Sequence, residues 1–302
     1  MDNTSGNMKV SYHGTLFSEI DSEMYDFQSS RLRRPSTGVR LWNRVLDTFE
    51  NYDCHVDINL HCNIREIEDY KIYRDGLNVK LHVHEQIGKS IPGGQLCWVP
   101  RKIIEDERNL YDIYIYADGD IGFPYEVIDY HNEHHDSFWN DKVALRMMRC
   151  EVDSEYTFYQ KKINYEELGY LSFEFSDGLE FYATDYPQET FMFDEGNRRR
   201  INDYYHDGGW MYSQEQIKTF MKTKWWTEPM TKYGEGVTAA NMGMNDPLHG
   251  VFDSTAIALV DGKIDSRSRI LHFGNHDITD MKAQDISHGK EEIKFEGMYR
   301  DG

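Results

Sequence analysis

The chain has 302 residues, 39% hydrophobic and 28% charged, which suits one large folded domain or two intimate subdomains and excludes a disordered or fibrous polypeptide. Its net charge of −20 repels nucleic acid and anionic membrane over most of the surface, so neither is an expected partner, and an anionic ligand needs a local cation. Four scattered cysteines without a CxxC pair argue against a disulfide scaffold or zinc ribbon and for reduced, buried thiols.

The N-terminal run MDNTSGNMKVSYHG has no signal-like apolar core, and no apolar run reaches transmembrane length, which predicts a soluble, cytoplasmic chain without membrane insertion. Residues 1–7 and 288–302 read as loosely docked ends. Met8–His13 reads as a short strand, followed by a polar loop to Pro35. Over Val39–Tyr52 the apolar residues Val39, Leu41, Trp42, Val45, Leu46 and Phe49 recur at helical spacing. His55–Leu60 and Asn78–His84 alternate apolar with polar, as strands do, and Pro100–Leu110 is a helix candidate. Tyr111–Tyr116 is a strand of aromatic and β-branched residues that stops at Ala117-Asp118-Gly119-Asp120. This alternation predicts an α/β fold for the first half, with a soft boundary near residue 123. Beyond it, Leu171–Phe175 and Leu179–Thr184 form a hairpin pattern around Ser176-Asp177-Gly178. Ser213–Lys224 reads as a helix with Ser213 as N-cap and Gln216 completing a capping box. Val251–Val260 reads as a strand or a helix start, and Ile270–Phe273 as a last short strand.

Asp118 and Asp120 stand where ligands collect in open α/β sheets, outside the carboxyl end of a strand. Continued strand periodicity would project both to one side, with Gly119 leaving the space between them clear, and two convergent carboxylates call for a cation. Mg²⁺ and Mn²⁺ take such oxygens and leave positions open for phosphate. The plainer alternative is a turn, since Asp and Gly are turn formers. An EF-hand is excluded, because the sixth position from Asp118 is Phe123 and the twelfth is Asp129.

Four segments in chain order together resemble GT-A glycosyltransferases. WVPRKIIEDERNLYDIYIYADGDI (98–121) is similar to the helix and strand leading through the D-x-D motif, and RLWNRVLDTFENYDCHVDINLHCN (40–63) to the first helix and second strand. HDGGWMYSQEQIKTF (206–220) resembles a Gly-Gly-Trp turn and helix of the acceptor half, and RILHFGNH (269–276) the late histidine segment that closes on the metal-diphosphate. The resemblance implies a central mixed sheet flanked by helices, with residues 1–123 as the nucleotide-sugar half and 124–302 as the acceptor half of one continuous domain. It implies transfer of a sugar from a nucleotide sugar, UDP-linked by default, to a glycan hydroxyl with Mn²⁺ or Mg²⁺. The carboxylates available in the acceptor half favour inversion of configuration. On the same basis Asp120 ligates the metal, Asp118 contacts ribose or a metal-bound water, and His272, or alternatively His276, supplies a third ligand or a phosphate donor. Arg101 pairs with the diphosphate, although alone it reads as a solvated arginine. His13 and Asn63 flank the nucleoside, Gly209 lets substrate approach, and Trp210 stacks on a sugar. Asp207 and Glu235 are the candidate bases for the acceptor hydroxyl.

Other motifs are weaker. His131, His134 and His135 match no zinc signature and read as an exposed loop or helix face, Gly88-Lys89-Ser90 lacks the P-loop glycine because position 83 is Val, and Gly234-Glu235-Gly236 with Ala239 lies far from the first strand. Two other classes fit parts of the sequence: a β-rich carbohydrate-binding or capsid-type protein, and a metal-dependent hydrolase using the same Asp and His residues.

Overall fold

The computed structural model describes residues 8–16, 35–63, 65, 72, 75–87, 89–91, 93–151, 172–182, 194, 195, 197–201, 208–223, 226, 227 and 251–273. In chain order the elements are β1 (Lys9–Leu16), α1 (Pro35–Asp47), β2 (His55–Cys62), β3 (Asn78–Val83), a 3-10 segment Gly93–Trp98, α2 (Pro100–Asp106), β4 (Ile113–Asp118) and β5 (Ile121–Gly122). Then follow α3 (Glu126–Asn140), β6 (Val143–Leu145), β7 (Met148–Glu151), β8 (Ser172–Glu174), β9 (Glu180–Tyr182), β10 (Asp194–Glu195), β11 (Arg198–Ile201), β12 (Gly209–Ser213) and α4 (Gln214–Phe220). Last come β13 (Ser254–Val260), β14 (Lys263–Ile264), a 3-10 turn Ser266–Ser268 and β15 (Arg269–His272). The protein is mixed α/β and divides into two compact units, Met1–Gly122 with Gly208–Phe252, and Phe123–Asp207 with Asp253–Gly302.

The first unit is built on a five-stranded sheet of order β12-β4-β1-β2-β3. Strands β4, β1, β2 and β3 are parallel, and β12 runs antiparallel to β4. Alternation assigns the faces. Val10 and Tyr12 of β1, Val56, Ile58 and Leu60 of β2, and Ile113 and Ile115 of β4 share an apolar face. Helix α1 buries Trp42, Val45 and Leu46, and Phe49, in the turn just after it, is buried and meets Tyr12 of that face edge to face at 4.8 Å. The opposite face carries Ser11, His13 and Thr15, Asp57, Asn59 and His61, Asn78, Lys80 and His82, Tyr114, Tyr116 and Asp118, and Trp210 and Tyr212 in register. Alternation of this kind usually marks a solvated face. Here every residue of β1 and β2 after the first is buried, so those polar side chains need partners within the fold.

Strand β12 is held close to β4. A Cβ on Gly209 would stand 2.6 Å from the Tyr116 carbonyl oxygen and 3.2 Å from Ala117 Cα, both backbone atoms that cannot swing away. Gly209→Ala is therefore expected to destabilise the chain by about 1–3 kcal/mol, the usual range for overpacking. Urea unfolding of the variant against wild type measures it.

In the second unit β13 is the hub. It pairs antiparallel with β11 and β14 and parallel with β6. The β13–β14 connection is Asp261-Gly262, both at positive φ (52° and 79°), as a two-residue hairpin turn requires. Strands β7 and β15 pair in parallel, and β8 and β9 form the hairpin read from the sequence. The buried Tyr130 hydroxyl of α3 donates to the Arg146 carbonyl (2.8 Å) and accepts from the Ala258 amide (3.1 Å), which ties helix to strands. His134 and Arg267 converge on the buried Asp265 at 3.1 and 2.6 Å, and Arg267 also reaches Glu133 at 2.7 Å.

Several expectations change. The first strand continues past His13 to Leu16, and α1 starts at Pro35 and ends at Asp47. Helix α2 stops at Asp106 rather than Leu110. Gly209 and Trp210 open strand β12, with Gly208 as a bend at positive φ (72°) just before it, while Ser213 does close the expected capping box with Gln216. The helix it caps ends at Phe220, not Lys224. Residues 126–140, which carry the histidine triplet, form a full helix. The parallel sheet rules out a purely β-rich architecture for the first unit. No helix among the described residues is long and apolar enough to cross a membrane.

Candidate functional site at the carboxyl edge of the parallel sheet

Strand order reverses between β1 and β4: β2 and β3 follow β1 on one side, and β4 lies on the other. Such a switch point opens a crevice at the carboxyl ends of the strands. Asp118 is the last residue of β4 there, in register with Thr15 of β1. Its amide donates to the Gly208 carbonyl at 2.6 Å, and the Tyr116 hydroxyl lies 3.5 Å from its Oδ1. The strand ends at Asp118, and Gly119 and Asp120 form a turn, so strand periodicity does not carry over to Asp120. Gly119 is required by crowding: a Cβ would lie 2.7 Å from the Thr15 carbonyl oxygen and 2.9 Å from the Trp42 indole nitrogen. Both carboxylates are partly exposed. The phenol of Tyr12 is pushed well above its ordinary value, first by burial and then by the charges of Asp120 and Asp118. The turn is thus a centre of negative potential beside a buried phenol, which donates to the Ile121 carbonyl at 3.1 Å.

The aromatic residues next to it serve the scaffold. Trp210 is 3% exposed, and its ring stacks on Tyr116 at 5.7 Å and Tyr212 at 5.0 Å. The face expected to receive a sugar is therefore occupied by protein rings. Arg101 is likewise buried, not a solvated surface residue. Its guanidinium lies 3.8 Å from the Trp98 ring centroid, 5.2 Å from Phe220 and 5.1 Å from Trp226, and donates to the Trp226 carbonyl at 3.0 Å. Burial brings its pKa down to about 9. Arg101→Ala removes a desolvated cation–π contact and a charged hydrogen bond, so a loss of about 2–3 kcal/mol is expected in denaturant unfolding followed by tryptophan fluorescence.

His13 does not end its strand. It is fully buried in the middle of β1 and belongs to a run of polar side chains across the sheet. Ser11 Oγ lies 3.0 Å from His13 Nε2, His13 Nδ1 lies 3.2 Å from His61 Nε2, and His61 Nδ1 lies 3.2 Å from His84 Nε2. His82 stacks on His61 at 4.7 Å and meets Asn59 Oδ1 at 3.0 Å. Burial, then His82 and Lys80, lowers the His13 pKa to about 3. Burial also holds His61 well below its ordinary value and lowers His82 and His84. No sequence motif singles out Ser11, His61, His82 or His84. Their one signal is the placing of histidines at alternate positions of adjacent strands. Asn63 follows β2 directly and is buried.

His272 ends β15 in the second unit and is buried, with Arg149 NH2 at 3.0 Å from its Nδ1 and 3.4 Å from its Nε2. A guanidinium so close repels a second cation, which opposes a metal on that ring. Asp207, Glu235 and His276 lie outside the described residues. Among the described residues no group of three or more His, Cys, Asp or Glu side chains is arranged to hold a metal ion, including His131, His134 and His135 on α3. The four cysteines are free thiols, Cys62, Cys97 and Cys150 buried and Cys54 partly so. The chain matches no protein-family model and no curated protein sequence.

Proposed function

We propose that this protein is a divalent-metal-dependent glycosyltransferase of the GT-A type, moving a sugar from a nucleotide sugar, UDP-linked in the first instance, to a glycan hydroxyl. One observation carries the reading: an Asp-Gly-Asp turn leaves the carboxyl end of β4 at the switch point of the parallel sheet, backed by the antiparallel β12. Two carboxylates suffice for Mg²⁺ or Mn²⁺ when substrate phosphates and water complete the shell, so the absence of a three-residue cluster among the described residues does not conflict with it. Asp120 and Asp118 are the groups that would hold the ion, without His272. When bound, the ion supplies Lewis-acid stabilisation of the departing nucleoside diphosphate. Gly119 keeps the turn tight against β1, and Asp118 is fixed by the hydrogen bond its amide donates to the Gly208 carbonyl. A carboxylate, Asp207 or Glu235, takes the acceptor proton in this scheme.

Calorimetry with UDP and GDP, with and without Mn²⁺, tests the reading, and metal-dependent nucleotide binding is the expected result. Absence of any nucleotide binding in the presence of Mn²⁺ would remove it. A panel of nucleotide sugars with and without glycan acceptors separates transfer from hydrolysis. Turnover with water alone, indifferent to acceptor, favours a metal-dependent hydrolase at the same turn.

A further inference from the structure

The histidine run in the first unit has a geometry that a merely solvated or merely packed cluster lacks. The ring centroids of His13 and His61 are 5.5 Å apart, as are those of His61 and His84, with interplanar angles of 22° and 17°. That separation equals the 3.2 Å nitrogen–nitrogen distance plus the radii of two imidazoles, so in each pair the two nitrogens lie on the line joining the rings. In-line N–H···N is hydrogen-bond geometry. A metal placed on that line would stand about 1.6 Å from each nitrogen, well short of the roughly 2.0–2.1 Å that imidazole ligation requires. Each neutral ring has one donor and one acceptor nitrogen, so the rings suit a chain in which every member donates to the next.

The geometry points to Ser11, His13, His61 and His84 as a proton relay: one hydrogen-bonded wire whose rings share a common tautomer and take up a single proton through His84. With the wire running from His84 toward Ser11, each ring is protonated on Nε2, and His13 donates to Ser11 Oγ. A proton from solvent adds to His84 Nδ1, the proton on His84 Nε2 passes to His61 Nδ1, and the one on His61 Nε2 passes to His13 Nδ1. His13 keeps its bond to Ser11, and the three rings together have gained one proton. Burial decides where that charge rests. Complete transfer leaves the charge on His13, which is sealed as His61 is, whereas His84 is partly exposed, so the proton returns along the same bonds and His84 is the charge's main seat. His82 and Lys80 of β3 repel the added charge. Asp57 of β2 and Asp118 and Tyr116 of β4 share the face, Cys97 and Arg101 pack beside Tyr116, and Glu85, paired with Arg65, follows His84 in the chain. The relay is independent of the transferase reading.

Long-range ¹H–¹⁵N correlation of the full chain labelled with ¹⁵N-histidine tests it. The expected spectra show one tautomer for His13, His61 and His84, and on acidification the nitrogens of all three shift together as the first proton enters at His84, below the ordinary histidine value, before His13 itself holds a charge. His84→Gln is expected to displace the His13 ring resonances although residue 84 touches only His61 in the wire, whereas His82→Gln, stacked on His61 but outside the wire, leaves the His13 tautomer unchanged. Mixed tautomers in the wild-type chain, or a His13 ring that stays still while His84 titrates, overturn the relay. The wild-type titration decides by itself if a variant fails to fold.

Discussion

Lowering the pH from 7 to 4 is expected to destabilise the protein steeply, and His13 is expected to account for about 3 kcal/mol of the loss. An unfolded imidazole titrates near 6.5, whereas in the fold His13 titrates at about 3 because it is buried. Between those values the unfolded chain binds a proton that the folded chain refuses. By linkage, stability then falls as pH falls: the contribution is whole above 6.5 and is lost progressively toward 3. At about 1.4 kcal/mol per pH unit the full span is worth roughly 5 kcal/mol, of which about 3 falls between pH 6.5 and 4. His61, His82 and His84 shift in the same direction and steepen the slope. Carboxylates with depressed values, such as Asp57 and Asp265, act mostly below pH 4, while Glu107, raised by burial, opposes the imidazoles above it. Urea unfolding at half-unit pH steps measures the slope. His13→Asn should be less stable than wild type at pH 7 and nearly catch up by pH 4. Parallel curves for the two proteins would mean that His13 is not held neutral by the fold.

This buried polar face also marks where the sequence stopped being readable. Helix α1 announced itself through the spacing of Val39, Trp42, Val45 and Leu46, because its one apolar stripe meets one apolar sheet face. The parallel strands were visible as apolar and polar alternation, but alternation says only that two faces differ. Whether the polar residues meet water or protein is decided by segments remote in sequence, as where α2 and α4 bring Arg101 and Phe220 to the β4–β12 end of this face, beside Tyr116 and Tyr212. The same remoteness hid β12. Five residues beginning Gly-Trp form a strand only because β4 offers an edge, and Gly209 permits the approach. Helix α3 was obscured by its polar, histidine-rich composition: its buried positions, Val127, Ile128, Tyr130, His131 and Phe138, lie on one face, but a histidine stands within it and the rest of the helix is polar. At the candidate site the position of Asp118 was legible from the end of an obvious strand. The turn after it, the enclosure of Trp210 and the caging of Arg101 were not, since each depends on packing partners more than ninety residues away.

Replacing Asp120 with asparagine is expected to abolish metal-supported donor binding while leaving the metal-free protein as stable as wild type, or slightly more so. Asparagine keeps the size and the turn-forming character of aspartate but removes the charge. Without a cation, the negative potentials of Asp118 and Asp120 reinforce each other around the Tyr12 phenol in a chain already at −20, so losing one relieves repulsion. Sites that bind substrate charge commonly carry such a stability penalty. With Mn²⁺ and UDP the order should reverse. Ligand at a hundred times its dissociation constant stabilises the wild-type fold by about 2.7 kcal/mol, and the variant, its affinity reduced by about 10²-fold or more, should gain almost none of that. Thermal unfolding of both proteins, with and without Mn²⁺ and UDP, reads all four quantities in one experiment. The sign in metal-free buffer separates the two meanings of Asp-Gly-Asp. If the carboxylate of Asp120 merely shapes a turn, the Asp120→Asn variant is a weaker protein that responds to added metal and nucleotide as wild type does. If it is there to meet a cation, the variant loses its response and nothing else.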